Sequence, residues 1–151
     1  FGDVTFDEMK KRDLPVTPEN EKMMREELRA TNDMAIYAKK SEPRIRKAYD
    51  EGKNVVVESL YSWSEYKYLK EIYKENFKLL AVVTDRDIRA ERLKNRPYRP
   101  LTDEEVTTRD YSEIENIEKA GPIAIADHFV LNNGSFDELK KQVQEYIATI
   151  I

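Results

Sequence analysis

The sequence predicts an α/β fold with a mainly parallel sheet, and three observations carry that expectation. Continuously apolar, β-branched runs at 54–58 and 78–84 suit strands buried on both faces. Segments at 63–73, 85–95 and 136–150 carry apolar residues at helical spacing or end on helix-stopping signals. With a further short strand at 128–131, strand and helix alternate three times, which implies parallel pairing through right-handed crossovers, with helices on both faces of the sheet.

Each element has a local reason. Thr17-Pro18-Glu19 reads as a helix start, with a capping threonine, proline at the first helical position and an acid in the first turn. That helix is expected to run towards Lys40, with Met24, Leu28, Met34 and Ala35 among its apolar positions. Ser41-Glu42-Pro43 then reads as a second start, and Gly52 as a left-handed C-terminal cap. In 63–73, Tyr66, Leu69, Ile72 and Tyr73 share a face. The helix at 85–95 is ended by Pro97 and Pro100. Thr102-Asp103-Glu104-Glu105 opens another helix within a polar segment, 97–119. Asn132-Asn133-Gly134-Ser135 forms a turn that caps the last helix, whose stripe is Phe136, Leu139, Val143, Tyr146, Ile147 and Ile150.

Composition narrows the function classes. A chain of 151 residues, 40% hydrophobic and 37% charged, is expected to form one globular domain. Its net charge of −4 provides no general attraction for nucleic acid or acidic lipid. The absence of cysteine excludes disulfides, thiolate metal sites and cysteine catalysis, and fits a cytoplasmic location. No apolar run approaches membrane-spanning length and no signal-peptide pattern opens the chain. Phe1 stands where a native start would have Met, so upstream residues are expected.

Gly2-Asp3-Val4, the run Val55-Val56-Val57-Glu58, the run 79–84, the arginine-studded helix after it and Asp127-His128-Phe129-Val130-Leu131-Asn132-Asn133-Gly134 follow one another in a telling order. In that order the chain resembles the small P-loop kinases of the dephospho-CoA kinase and nucleoside-monophosphate (adenylate) kinase group. The resemblance implies a P-loop NTPase-like three-layer α/β/α fold whose first strand and phosphate loop are missing from these residues. It also implies ATP and Mg²⁺ as cofactors, and phosphoryl transfer to a small-molecule acceptor, dephospho-CoA or nucleotide-like. The segment 97–119 would be a mobile lid. The missing strand would lie between 54–58 and 78–84, leaving facing edges of both unpaired. No G-x-x-x-x-G-K-[ST] occurs: Gly52-Lys53 is followed by Asn54, and position 47 is Lys. The alternative is a non-catalytic module of the same descent, acting by binding or interaction.

The candidate site residues follow from the resemblance, each beside a plainer reading. Asp3 matches the aspartate that, at a strand end, faces the acceptor hydroxyl and helps hold Mg²⁺; otherwise it is a solvated turn residue. Thr5 and Phe6 occupy the stretch where archaeal relatives of that group often carry an arginine. Glu58 matches an acid at a strand's carboxyl end, or simply caps the next helix. Tyr61 stands where an arginine would hold an anionic acceptor. Arg86, Arg89, Arg92, Arg96, Arg99 and Arg109 cluster on a helix and its following loop, with Arg89, Arg92 and Arg96 spaced to share a face. Lid arginines close over the transferring phosphate in the resembling kinases, with Arg92 and Arg96 the best matches and Arg99 on the acceptor side; the plainer reading pairs them with Asp85, Asp87 and Glu91. Asn132, Asn133 and Gly134 match the loop that wraps adenine through backbone groups. His128 has no visible acidic or serine partner and reads as structural. The aromatics Tyr61, Trp63, Tyr66, Tyr68 and Tyr73 read as core or surface positions.

Overall fold

A computed structural model describes residues 1–30 and 33–151, which form two units, Phe1–Phe77 and Lys78–Ile151.

The first unit is helical. α1 (Asp3–Lys11) has an acid in its first turn and Lys10 and Lys11 in its last, complementing the helix dipole, and buries Val4, Thr5 and Met9. α2 (Pro18–Ala30) starts where expected: the Thr17 hydroxyl accepts from the Asn20 N–H at 3.2 Å. The expected continuation towards Lys40 does not hold, since residues 33–35 are non-helical; residues 31 and 32 lie outside the described residues. α3 (Ile36–Asp50) begins before the expected start at Ser41. Asp33 sets the earlier start, since its carboxylate accepts from the Ala35 N–H and its carbonyl from the Ile36 N–H, each at 3.1 Å. Pro43 therefore falls inside the helix instead of opening one. Gly52 is the expected left-handed cap, at φ 74°, and the Lys53 N–H closes the turn onto the Ala48 carbonyl at 3.0 Å.

Residues 54–58 are not a strand, which corrects the first expectation. They run between α3 and α4 with no strand paired to them among the described residues, and Val56 is 90% exposed. A β-branched run needs an adjacent strand to satisfy its backbone, and none stands beside it here. α4 (Trp63–Tyr73) follows, opened by a reciprocal capping box between Ser62 and Glu65 and closed by a 3₁₀ turn at Lys74–Asn76. Met9, Met24, Leu28, Tyr37, Ala38 and Leu69 are the heart of this unit's apolar core.

The second unit carries the sheet. β1 (Leu80–Val83) pairs in parallel with β2 (His128–Leu131), Leu80 opposite His128 and Val83 opposite Leu131. Three helices form the connection: α5 (Arg86–Asn95), α6 (Asp103–Glu115) and α7 (Ala120–Ala124). α8 (Phe136–Ile147) packs against β2, with Tyr146 stacked on His128 at 4.3 Å between ring centroids. That contact gives His128 a packing role. Burial on both faces does not hold for these strands: Val130 is fully buried, while Val82, Phe129 and Leu131 are about half exposed. The described chain is thus a mixed α/β protein with a small parallel sheet.

Candidate functional site

Parallel pairing puts the carboxyl ends of β1 and β2 at the same end of the sheet, the end where open α/β sheets receive ligands. The segment after β1 supplies Asp85 and α5; the segment after β2 supplies Asn132, Asn133 and Gly134. The two are tied together. The Asn133 side-chain oxygen accepts from the Asp85 N–H at 2.9 Å. Arg92 reaches from α5 and donates to the Asn132 carbonyl at 2.5 Å, the Asn132 side-chain oxygen at 3.1 Å, the Asn133 carbonyl at 3.3 Å and the Gly134 carbonyl at 2.9 Å. The sequence pointed to both partners separately, and the structure joins them.

The same loop is held from α8. The Ser135 hydroxyl accepts from the Glu138 N–H, and the Glu138 carboxylate accepts from the Ser135 N–H at 2.7 Å. That backbone hydrogen bond holds the Glu138 carboxyl below its ordinary range. A side chain at position 134 would run into the Glu138 carboxylate, so glycine leaves the cap free to close. Gln142 grips β2 from one turn further along, donating to the Leu131 carbonyl and accepting from its N–H, each at 2.9 Å.

The other arginines diverge. Arg89 makes a forked pair with Asp110 on α6, at 2.5 and 2.9 Å, and Arg86 donates to the Thr107 hydroxyl at 2.8 Å. The Arg89 guanidinium holds the Asp110 carboxyl below its ordinary range, and Asp110 raises Arg89 in return. Arg96 lies beyond the end of α5 in extended backbone and donates to the Arg99 carbonyl at 2.5 Å. It does not share a helical face with Arg89 and Arg92, because the helix stops before it. Arg99 sits over the Tyr98 ring, 4.9 Å from its centroid. Arg109 pairs with Glu113 at 2.9 Å. The plainer reading of the cluster had the principle of pairing and the wrong acids: Asp110 and Glu113 take the place of Asp85, Asp87 and Glu91 for these contacts. A cleft of about 350 Å³ between α5 and α6 is lined by Arg86, Asp87, Lys94, Asp103 and Thr107, and by neither Arg92 nor Arg96.

In the first unit, Asp3 opens α1 with its side chain in solvent, 3.9 Å from Arg44 of α3; Arg44 also lies 3.6 Å from Asp7. Arg44 is a cation beside Asp3 that the sequence did not suggest, since α3 brings it there from 41 residues away. The Glu58 carbonyl accepts from the Phe1 nitrogen at 3.1 Å, so position 58 lies beside the start of α1. The Glu58 carboxylate caps no helix; Glu65 fills that place. Ser59 sits at φ 67°, in the left-handed region that favours glycine. The Tyr61 N–H donates to Glu65 at 2.9 Å and the Ser62 N–H at 2.8 Å. Glu65 is 1% exposed, and burial pushes its carboxyl up against those two hydrogen bonds. Ser62-x-x-Glu65 was the sequence signal for it. Elsewhere in this unit the Thr5 hydroxyl meets the Tyr37 hydroxyl at 3.0 Å.

Among the described residues no three acidic or histidine side chains converge as a metal site, and no helix is long and apolar enough to cross a membrane. The geometry defines a mixed α/β protein with a polar, arginine-held loop at the carboxyl end of a parallel strand pair. The chain is 30% identical to a UPF0200 protein of Pyrococcus abyssi over 154 aligned positions, covering 100% of this chain and 82% of that one. It is 31% identical to a UPF0200 protein of Thermococcus gammatolerans, covering 80% of it, and 32% identical to one of Pyrococcus furiosus, covering 82%. The chain therefore belongs to the UPF0200 family. No family model matches it, and no solved structure matches it.

Proposed function

We propose that this is an ATP-dependent small-molecule kinase with a P-loop NTPase-like fold, acting on a dephospho-CoA or nucleotide-like acceptor, with the phosphate loop supplied by residues upstream of Phe1. The observation that carries the reading is the joined pair of loops at the carboxyl end of β1 and β2, where Asn132, Asn133 and Gly134 are anchored to α5. A parallel pair linked through helices, with a backbone-rich loop at its ligand end, is what nucleotide binding in an open sheet requires. Ser59 adds support. It follows the acid at 58 where the resembling kinases sometimes have glycine, and it adopts a conformation suited to glycine.

Asn132, Asn133 and Gly134 would receive the base. Asp3 would take the proton from the attacking hydroxyl and approach Mg²⁺, an ion that needs only one or two protein carboxylates when phosphates complete its shell. The exposed Asp3 carboxylate fits that limited part. Arg44 would steady an anionic acceptor beside it. The non-catalytic reading has one specific observation in its favour: Arg89, Arg92, Arg96 and Arg109 all donate to acceptors within the chain. One experiment separates the two. In the full-length protein with Mg·ATP and candidate acceptors, Asp3→Asn should lower turnover about 10²- to 10⁴-fold with nucleotide affinity nearly unchanged. Unchanged turnover removes Asp3 from the reaction, and no phosphoryl transfer by the unaltered protein with any acceptor favours the non-catalytic module.

A further inference from the structure

We infer that Arg92 is a positioning residue for the nucleotide-base loop and not a phosphate ligand: it draws three successive carbonyls towards α5 and so turns the N–H groups of Asn133 and Gly134 outward as a donor pair for acceptor atoms of a purine. The inference rests on the kinase reading above.

The donor count comes first. The two terminal nitrogens of a guanidinium carry four N–H groups. In Arg92, Nη1 serves the carbonyl and side-chain oxygens of Asn132, and Nη2 serves the carbonyls of Asn133 and Gly134. Both terminal nitrogens are thus engaged by the loop, which leaves Nε as the nitrogen a phosphate would meet first.

Peptide geometry gives the second step. In a trans peptide unit the C=O and the following N–H point in opposite directions, and among the described residues there is no cis peptide. With the carbonyls of Asn132 and Asn133 turned to Arg92, the N–H groups of Asn133 and Gly134 turn away from it. The same logic applies at Gly134, whose carbonyl faces Arg92 while the next N–H, that of Ser135, is taken by Glu138. Among the described residues the N–H groups of Asn133 and Gly134 meet no acceptor. Asn132 is fixed from behind, its N–H donating to the Val83 carbonyl at 2.7 Å. The donor pair is therefore preorganised: β1 holds one end of the loop, α8 the other, and Arg92 its middle. Ring nitrogens of a purine are acceptors of the kind such a pair would take.

The test is binding of adenosine, ATP and inorganic tripolyphosphate to the full-length protein, unaltered and as Arg92→Met and Arg92→Lys. The expected result is that Arg92→Met weakens adenosine and ATP about tenfold, through lost preorganisation, and changes tripolyphosphate by less than about twofold. Arg92→Lys, a point charge that can reach only some of the carbonyls, should fall between, and it carries the comparison if Arg92→Met does not fold. Equal loss of tripolyphosphate and adenosine would make Arg92 a phosphate ligand and overturn the inference. So would unchanged adenosine binding in both variants, with the kinase reading left standing. If the unaltered protein binds none of the three, the kinase reading itself fails and takes this inference with it.

Discussion

Phe1–Phe77 and Lys78–Ile151 are held together in different ways. In the first unit, eight buried residues from Phe1 to Leu69 form one apolar cluster. In the second, Ala81, Val106, Pro122 and Val130 are the buried apolar side chains among the described residues. Its elements are tied instead by directional contacts: Arg89 to Asp110, Arg92 to the loop after β2, Gln142 to Leu131, and the Asp127 carboxylate to the Leu79 N–H at 2.7 Å. Apolar burial is strong and tolerant of direction; hydrogen bonds contribute less each but fix geometry. The contrast places the larger buried apolar cluster in the first unit and the polar contacts that aim the loop after β2 in the second.

The largest way to break that contrast is a cavity in the first unit. Leu69→Ala should lower stability by about 2–5 kcal/mol, followed in urea by the fluorescence of Trp63, the single tryptophan. A loss below about 1 kcal/mol would mean the cluster is not what holds this unit. In the second unit Asp110→Asn, which removes the charged partner of Arg89, should lower stability by about 1–2 kcal/mol.

Acidity sharpens the comparison, because the two buried-side carboxylates have opposite signs. Asp110 has its folded pKa held down by Arg89. Its contribution is present above the unfolded value near 4 and is lost as pH falls through the lower folded value. Glu65 has its folded pKa pushed up by burial. The folded state then holds its proton more tightly than the unfolded state, so Glu65 favours folding below about pH 4 and that advantage fades as pH rises through the folded value. Asp110→Asn should flatten the acid limb of stability, read by amide exchange in β1. Glu65→Gln should flatten the slope on the less acidic side, read by Trp63. Identical pH profiles for both variants and the unaltered protein would refute these assignments.

The smallest expected effect is a gain. Ser59→Gly should raise stability by about 0.5–1 kcal/mol, since glycine enters the left-handed region without the steric penalty of a side chain. A loss on urea unfolding would mean that the Ser59 side chain makes up for its backbone strain.

What the sequence disclosed was local. The cap at Gly52, the helix at α4, the arginine helix, both strands of the sheet and the loop after β2 follow from spacing, proline and glycine positions, and short apolar runs. What it concealed was pairing. Val55-Val56-Val57 has strand composition, but composition does not reveal whether a partner strand lies alongside. The start of α3 hinged on Asp33, a weaker signal than Ser41-Glu42-Pro43. Arg92 was legible as a functional candidate, yet its acceptors are carbonyls 40–42 positions away, which leave no mark in a sequence. Asp110 and Gln142 were hidden for the same reason. Glu65 was within reach through its capping box, though its burial was not.

The most direct test of the kinase reading is calorimetric titration of Mg·ATP into the full-length protein and, in parallel, into residues 1–151 expressed alone. Saturable binding by the first and none by the second is expected, because residues 1–151 contain no G-x-x-x-x-G-K-[ST]. Micromolar binding by residues 1–151 alone, or no binding by the full-length protein, would contradict it.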